Sequence, residues 1–312
     1  MLLLPKKGIA RSVLTDNCDD VVVCDWIEAS CLFCWEKLSV QEVVDVLIEE
    51  NVYSDQDMAT HFVRARWNDI NRRMRLTGSS YGLRIEGDSI SSLGSWQDFA
   101  AHSFCLTLSL ATRYDWWAKH FTPDYNEQGE LFEFLTCEAL QVITPDWECY
   151  IGGWSRNAGL TFEELVEDIS NRIGDGSTRL DDWAGTDQKD LTLDVLHFYQ
   201  FLDELPGKPM TFIQCASGAD WKRKIGKPNL EVWKDVVRTF TPPSKGFAVP
   251  FCFSDSEFRR NCVKAQGLLL DRLRILGAGL KKQTWLTQET NGRIVDWLTP
   301  FVGGLLAKSN LQ

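Results

Sequence analysis

Hydrophobic and polar positions along the chain follow two rhythms. In residues 20–36, 40–51 and 55–75 apolar side chains recur every three or four positions, which predicts helices. Ser39 and Glu42 stand at capping-box spacing, where hydroxyl and carboxylate satisfy the free amides of a helix start, and Ser54 opens the third helix. "YGLRIEGDSISSL" alternates between turn residues and predicts a small β element. "SWQDFAAHSFCLTLSLATRYDWWAKHF" reads as a long buried helix, broken by "TPDYNEQG", which sets a soft boundary near 122–129.

Beyond that boundary the period shortens in places. "ELFEFLTCEALQVI" (130–143) predicts a helix, "WECYIGGW" (147–154) a strand, and "TFEELVEDISNRIG" (161–174) an amphipathic helix capped by Thr161 and Glu164. A polar loop, "GDGSTRLDDWAGTDQ", precedes two strands, "DLTLDVLHFYQFL" and "MTFIQCA", joined by the turn-rich "DELPGKP". "NLEVWKDVVRTF" predicts a helix and "GFAVPFCF" a strand. "GLLLDRLRILGAGL" and "ETNGRIVDWLTPFVGGLLA" read as closing helices. The expected fold is α/β. A mainly helical region, 1–122, with a regulatory or partner-docking role, precedes a domain at 123–312 that includes the C-terminal helices.

Composition adds limits. The 312 residues are 44% hydrophobic and 25% charged, ordinary for a globular protein. No apolar run approaches the ~20 residues that span a bilayer, and "MLLLPKKG" is too short for a secretion signal. A soluble cytoplasmic protein with no membrane partner is expected, its ten cysteines reduced. Cys31 and Cys34 form a CxxC with Cys18 and Cys24 upstream, but helical periodicity makes core thiols the better reading than zinc ligands. Net charge is −11 but uneven: residues 221–282 hold 14 Lys/Arg against 5 Asp/Glu, and so form a basic segment on an acidic chain. Arg64, Arg66, Arg72, Arg73 and Arg75 read as solvated surface, with DNA or partner contact as the alternative.

The candidate chemistry lies on the two adjacent strands. Alternation puts Asp194, Leu196 and Phe198 on one face and Val195, His197 and Tyr199 on the other; Phe212, Gln214 and Ala216 share a face. If the strands pair, Asp194 and Gln214 meet at one end of the sheet. A carboxylate beside an amide oxygen is an all-oxygen site suited to Mg²⁺ or Mn²⁺. The Cys215 carbonyl could add an oxygen and Glu133 could reach the ion through water. The bland alternative is a turn-capping Asp194 and a core Gln214 bonded to backbone. The Cys215 side chain points to the opposite face, which argues against a thiol nucleophile.

A helix carrying "FE", a strand beginning at Asp194, a strand with "FIQCA", then helix and strand: this order resembles the PD-(D/E)XK restriction-endonuclease-like nucleases. "KDLTLDV…FIQCA" is closest to the Mrr-like branch. "QCASGADW" is also similar to a signature of bacterial anti-phage defence proteins. The resemblance covers about 129–255. It implies a restriction-endonuclease-like core (helix-strand-strand-strand-helix-strand) with an α-helical N-terminal region. It also implies a Mg²⁺-dependent endodeoxyribonuclease whose metal is held by Asp194, Gln214, the Cys215 carbonyl and Glu133. Asp190 matches the earlier aspartate of the pattern. One departure is Ala216, which stands where the family has its lysine; Lys224, or second Lys222, beyond the Gly218 turn, would replace it. Arg223, Lys227 and Lys234 would then hold the DNA backbone, and a partner protein or homo-oligomer would control activity. The alternative is a catalytically decayed module that binds DNA or a protein.

Overall fold

A computed structural model describes residues 1–9, 19–34, 37–121, 124–152, 161–173, 176–177, 192–203 and 205–309. Cys18, Asp190 and most of the polar loop before the central strands lie outside the described residues.

In chain order the elements begin with α1 (Asp20–Cys34), β1 (Leu38–Ser39), α2 (Val40–Glu49) and α3 (Gln56–Thr77). They continue with β2 (Leu83–Glu86), β3 (Ser89–Ser92), α4 (Ala100–Ala111), α5 (Trp117–His120), α6 (Tyr125–Ile143) and β4 (Trp147–Ile151). Then come α7 (Phe162–Ile173), β5 (Gly176–Ser177), β6 (Val195–Tyr199), β7 (Met210–Cys215), α8 (Trp221–Lys224) and α9 (Leu230–Val236). The chain closes with β8 (Val237–Arg238), β9 (Ser244–Ala248), α10 (Asp255–Ala265), β10 (Leu268–Leu270), α11 (Arg272–Leu276) and α12 (Gln288–Ser309). The fold is mixed α/β, in two compact units: Met1–Pro123 with Pro250–Ser254 and Arg272–Gln312, and Asp124–Val249 with Asp255–Asp271. The first segment of the first unit ends at Pro123, and Tyr125–Gly129, read from the sequence as part of a break, form the first turn of α6. The C-terminal helices, expected with the second domain, belong instead to the first unit.

The reason lies in what those helices bury. α1 is buried on every side from Val22 to Phe33, including Asp25 and Glu28. Such a helix needs apolar neighbours all round and a counter-charge for each carboxylate. Arg272 supplies one, its Nη1 and Nη2 donating to Asp25 at 2.9 and 2.8 Å. α12 supplies aromatic surface: Trp297 meets Phe104 of α4 edge-on at 5.1 Å, and Phe301 stacks on Trp117 at 5.6 Å. The Ser39–Glu42 capping box forms as expected at the start of α2. Of the five α3 arginines, Arg64, Arg72 and Arg75 are exposed as expected, Arg64 gripping Asp88 with two bonds of 3.0 and 2.9 Å. Arg66 and Arg73 depart from the solvated face: both are buried, Arg66 binding Asp20 and Asp69, and Arg73 drawn in by the buried Asp25 and Glu28 of α1. Cys31 lies in the core, its thiol donating to the Ile90 carbonyl at 3.8 Å.

The second unit is built on a five-stranded sheet of order β10-β9-β7-β6-β4. β6 runs antiparallel to β4 and β7, and β9 parallel to β7 and β10. One face packs on α7 and α9: Leu196, Phe198, Met210 and Phe212 meet Leu165, Ile169 and Trp233. The other carries α6, where the Thr144 hydroxyl meets His197 Nε2 at 2.9 Å. Residues 267–280 differ from the single helix their pattern predicts. Leu268–Leu270 joins the sheet as an edge strand and only Arg272–Leu276 is helical. A short apolar run has no period of its own, so its pairing partner decides. Among the described residues no helix is long and apolar enough to cross a membrane.

Candidate functional site

The site lies at the end of the sheet where β6 begins and β7 ends. The register pairs Val195 with Ile213, so Asp194 and Gln214 are the next residues along the two strands, as alternation and pairing require. The backbone of Asp194 is clamped on both sides: its N–H donates to Ile213 O at 3.0 Å, and its carbonyl accepts from Gly152 N–H at 2.9 Å. Its Oδ2 accepts from the Cys215 N–H at 2.6 Å and from Gln214 Nε2. The amide nitrogen also donates to the Cys215 carbonyl at 3.1 Å. Because Asp194 Oδ2 and that carbonyl only accept, the amide must present its nitrogen to them. Gln214 Oε1 is then left buried with no hydrogen-bond partner among the described residues. The whole residue is 5% exposed. Leaving such an oxygen dry costs roughly 1–3 kcal/mol, a cost with no structural return unless something else binds it.

That oxygen borders a cavity of about 440 Å³, all of it in the second unit. Asp194, Gln214 and Glu133 line it together; both carboxylates are 7% exposed. Glu133 arrives from α6, whose N-cap Asp124 accepts from the N–H groups of Asn126 and Glu127. The opposite wall comes from the turn after β7 and from α8: Ser217, Gly218, Asp220, Arg223, Lys224 and Lys227. Thus three of the predicted basic residues reach the cavity and two do not. Lys222 lies over the ring of Trp221, 5.7 Å from its centroid, and is absent from the lining. Lys234 pairs with Glu231 at 2.7 Å on α9, also away from the cavity. The Cys215 carbonyl is engaged by the Gln214 amide. The Cys215 thiol faces α6, bonding Thr136, and burial pushes it well above the usual thiol range.

Other lining residues carried weak signals or none. Gln128, on α6, donates to Ser217 Oγ at 3.1 Å and ties the helix to the turn. Tyr125 and Gly129 share the cavity face of α6; the sequence pattern places both in the break before the helix and gives no sign of them. Thr192 has φ +63°, the left-handed region a β-branched residue rarely enters. Such strain clusters at functional sites, and here it sits two residues before Asp194. No sequence signal marks it.

Among the described residues no three His, Cys, Asp or Glu side chains are grouped to hold a metal. The donors gathered here are two carboxylates and one amide oxygen, all hard oxygens, the kind a small divalent cation takes while keeping several waters. The orphaned Gln214 Oε1 fits such an ion, since an acceptor beside two carboxylates attracts a cation as well as a hydrogen-bond donor. No family model, curated protein or solved structure matches the chain.

Proposed function

We propose that this protein is a Mg²⁺- or Mn²⁺-dependent nuclease that hydrolyses phosphodiester bonds of DNA, with a restriction-endonuclease-like core in its second unit and a role in bacterial anti-phage defence. The observation that carries the reading is Gln214 Oε1, buried and unpartnered beside Asp194 in a cavity whose other wall bears three cations. The order α6, β4, β6, β7, α9, β9 supports it: with α7 and β5 inserted before β6, α8 before α9 and β8 before β9, it follows the helix-strand-strand-strand-helix-strand pattern of that core.

Asp194 and Gln214 would hold the ion, with Glu133 behind it. Bound there, a divalent cation supplies Lewis-acid polarisation of phosphate and lowers the pKa of a water. The chain's own residues divide the remaining work. Lys224 offers an ammonium to the charge that develops on phosphorus, in place of the lysine that Ala216 lacks. Ala216 is 1% exposed and its N–H is bound to Ala248 O at 2.9 Å, so that position is closed to a long side chain. Arg223 and Lys227 hold the flanking phosphates and set the strand's register. The same missing lysine favours the second reading, a DNA-binding module without cleavage.

Plasmid incubated with Mg²⁺ or Mn²⁺ separates the two. Cleavage that falls by about 10²–10³-fold in Lys224→Ala, the cost of losing one electrostatic donor, and vanishes in Asp194→Asn is the expected result. Salt-sensitive DNA binding with no cleavage under either metal would leave only the second reading.

A further inference from the structure

Tyr125, Gly129 and Glu133 follow one another at intervals of four along α6, which places them on one face, and all three line the cavity. Each is a different surface. Glu133 lies deep, at 7% exposure, while Tyr125 stands at the rim, 66% exposed. Between them Gly129 leaves bare backbone. Glycine inside a helix is less stable than alanine, so its presence asks for a reason. Protein packing gives none: a Cβ built on Gly129 meets nothing within 4 Å. Gly292 and Gly303 of α12 are equally open, but they face solvent, whereas Gly129 is half-buried in a cavity wall. Among the described residues nothing fills the space above it. That the cavity takes a ligand is pointed to independently by the unpartnered Gln214 Oε1 on its floor.

We infer that this face of α6 seats one unpaired nucleoside next to the scissile phosphate, so that the substrate is DNA that is single-stranded, or opened, at the point of cleavage. This deepens the nuclease reading and rests on it. The dimensions agree. About 440 Å³ admits one nucleotide but not a base pair with its neighbours. Arg223, Lys224 and Lys227 lie across from the helix and take the phosphates on either side. The sugar lies over the bare backbone at Gly129, where a methyl group would collide with it. The base stacks on the Tyr125 ring, an interaction open to any base because each has a π-face. Gln128, the adjacent amide, holds the Ser217 hydroxyl with its nitrogen and so is oriented toward the turn. The seat therefore selects for an unpaired base and not for its identity.

The test is fluorescence anisotropy of the full chain with a short labelled single strand of DNA and with the matching blunt duplex, in Ca²⁺ to hold back cleavage. The single strand should bind more tightly than the duplex. Tyr125→Ala should weaken single-strand binding roughly tenfold, the loss of one stacked base, and leave the duplex unchanged; Tyr125→Phe, which keeps the ring, should bind as the wild type does. Gly129→Ala should raise the melting temperature, as alanine does in a helix, while weakening the single strand, so a loss of binding cannot be put down to misfolding. If the duplex binds as tightly as the single strand and both variants behave as wild type, the nucleoside seat is wrong and the nuclease reading stands. If neither form binds, the nuclease reading fails and takes this inference with it.

Discussion

Each unit buries a polar cluster, and the two clusters are finished differently. In the first unit the Asp25 and Glu28 carboxylates have a donor for every oxygen. Asp25 takes Arg73 at 2.7 Å, Arg272 at 2.9 and 2.8 Å and Ser109 at 2.6 Å; Glu28 takes Arg73 at 2.8 Å and His102 at 3.1 Å. Burial alone would raise both carboxyl groups, but the guanidiniums of Arg272 and Arg73 outweigh it and hold Asp25 well below the usual range; Arg73 and His102 lower Glu28. In the second unit Asp194 and Gln214 satisfy one another, then leave Gln214 Oε1 facing a cavity. A closed network holds helices in register and offers a ligand nothing. An open one carries an unmet valence, and the cost of that valence is returned only on binding. Neither burial, charge nor an unsatisfied acceptor marks a site by itself, since His102 Nδ1 in the first cluster is also buried with no partner among the described residues; what sets Gln214 apart is that its residue lines a cavity together with two carboxylates.

Breaking the closed cluster should have the largest effect. Arg272→Met leaves Asp25 buried with half its donors gone, and removing one partner of a buried pair costs about 3–5 kcal/mol; urea unfolding reads it directly. The matching change in the open cluster, Gln214→Met, removes the orphan but also the amide's bonds to Asp194 and the Cys215 carbonyl, so it should cost about 1–3 kcal/mol, less than Arg272→Met. Its divalent-ion affinity should nonetheless fall at least ~tenfold, as when a ligating group or its support is lost. Titration calorimetry with Mn²⁺ reports that affinity without any need for activity. If Gln214→Met unfolds the protein as readily as Arg272→Met, the contrast between the clusters is false.

Protonation sharpens the same comparison. Both units hold a histidine that burial keeps neutral: His102, whose Nε2 bonds to Glu28, and His197, lowered from 6.5 to about 4. A base whose folded pKa is depressed takes up protons more readily when unfolded, so its contribution is intact above 6.5 and is lost as pH falls toward 4. The unfolding midpoint should therefore drop across that interval, and His197→Gln should flatten the slope. A slope unchanged in His197→Gln would assign the effect to the first unit. The smallest effect is expected at Thr192, where glycine relieves the left-handed backbone. Strain relief there is offset by glycine's greater freedom when unfolded, for a net gain below about 1 kcal/mol in thermal unfolding.

Much of the site was legible in advance because strand alternation is a strict rule. Asp194 and Gln214 follow from period two and from a hairpin link too short for anything but neighbouring strands. Glu133 follows from a helix that must cover the sheet. The choice among lysines could not be read in this way: Lys222 and Lys224 are two residues apart, and only the winding of a four-residue helix decides which one reaches the cavity. Gly129 carried no signal, because it falls in the stretch read as a break. Arg66 and Arg73 misled, since nothing local tells a solvated guanidinium from one drawn toward a carboxylate.

Local sequence alone determined most of the element types, the Ser39–Glu42 cap and the faces of the two central strands, because period, capping and turn chemistry act within a few residues. Tertiary structure alone decided that Arg272 completes a network begun at Asp25, that Leu268–Leu270 is a strand, and that Gln214 Oε1 has no partner. Each of these depends on which distant group arrives opposite, and the free energy of a buried charge, an edge strand or a lone acceptor belongs to the pair and not to the residue.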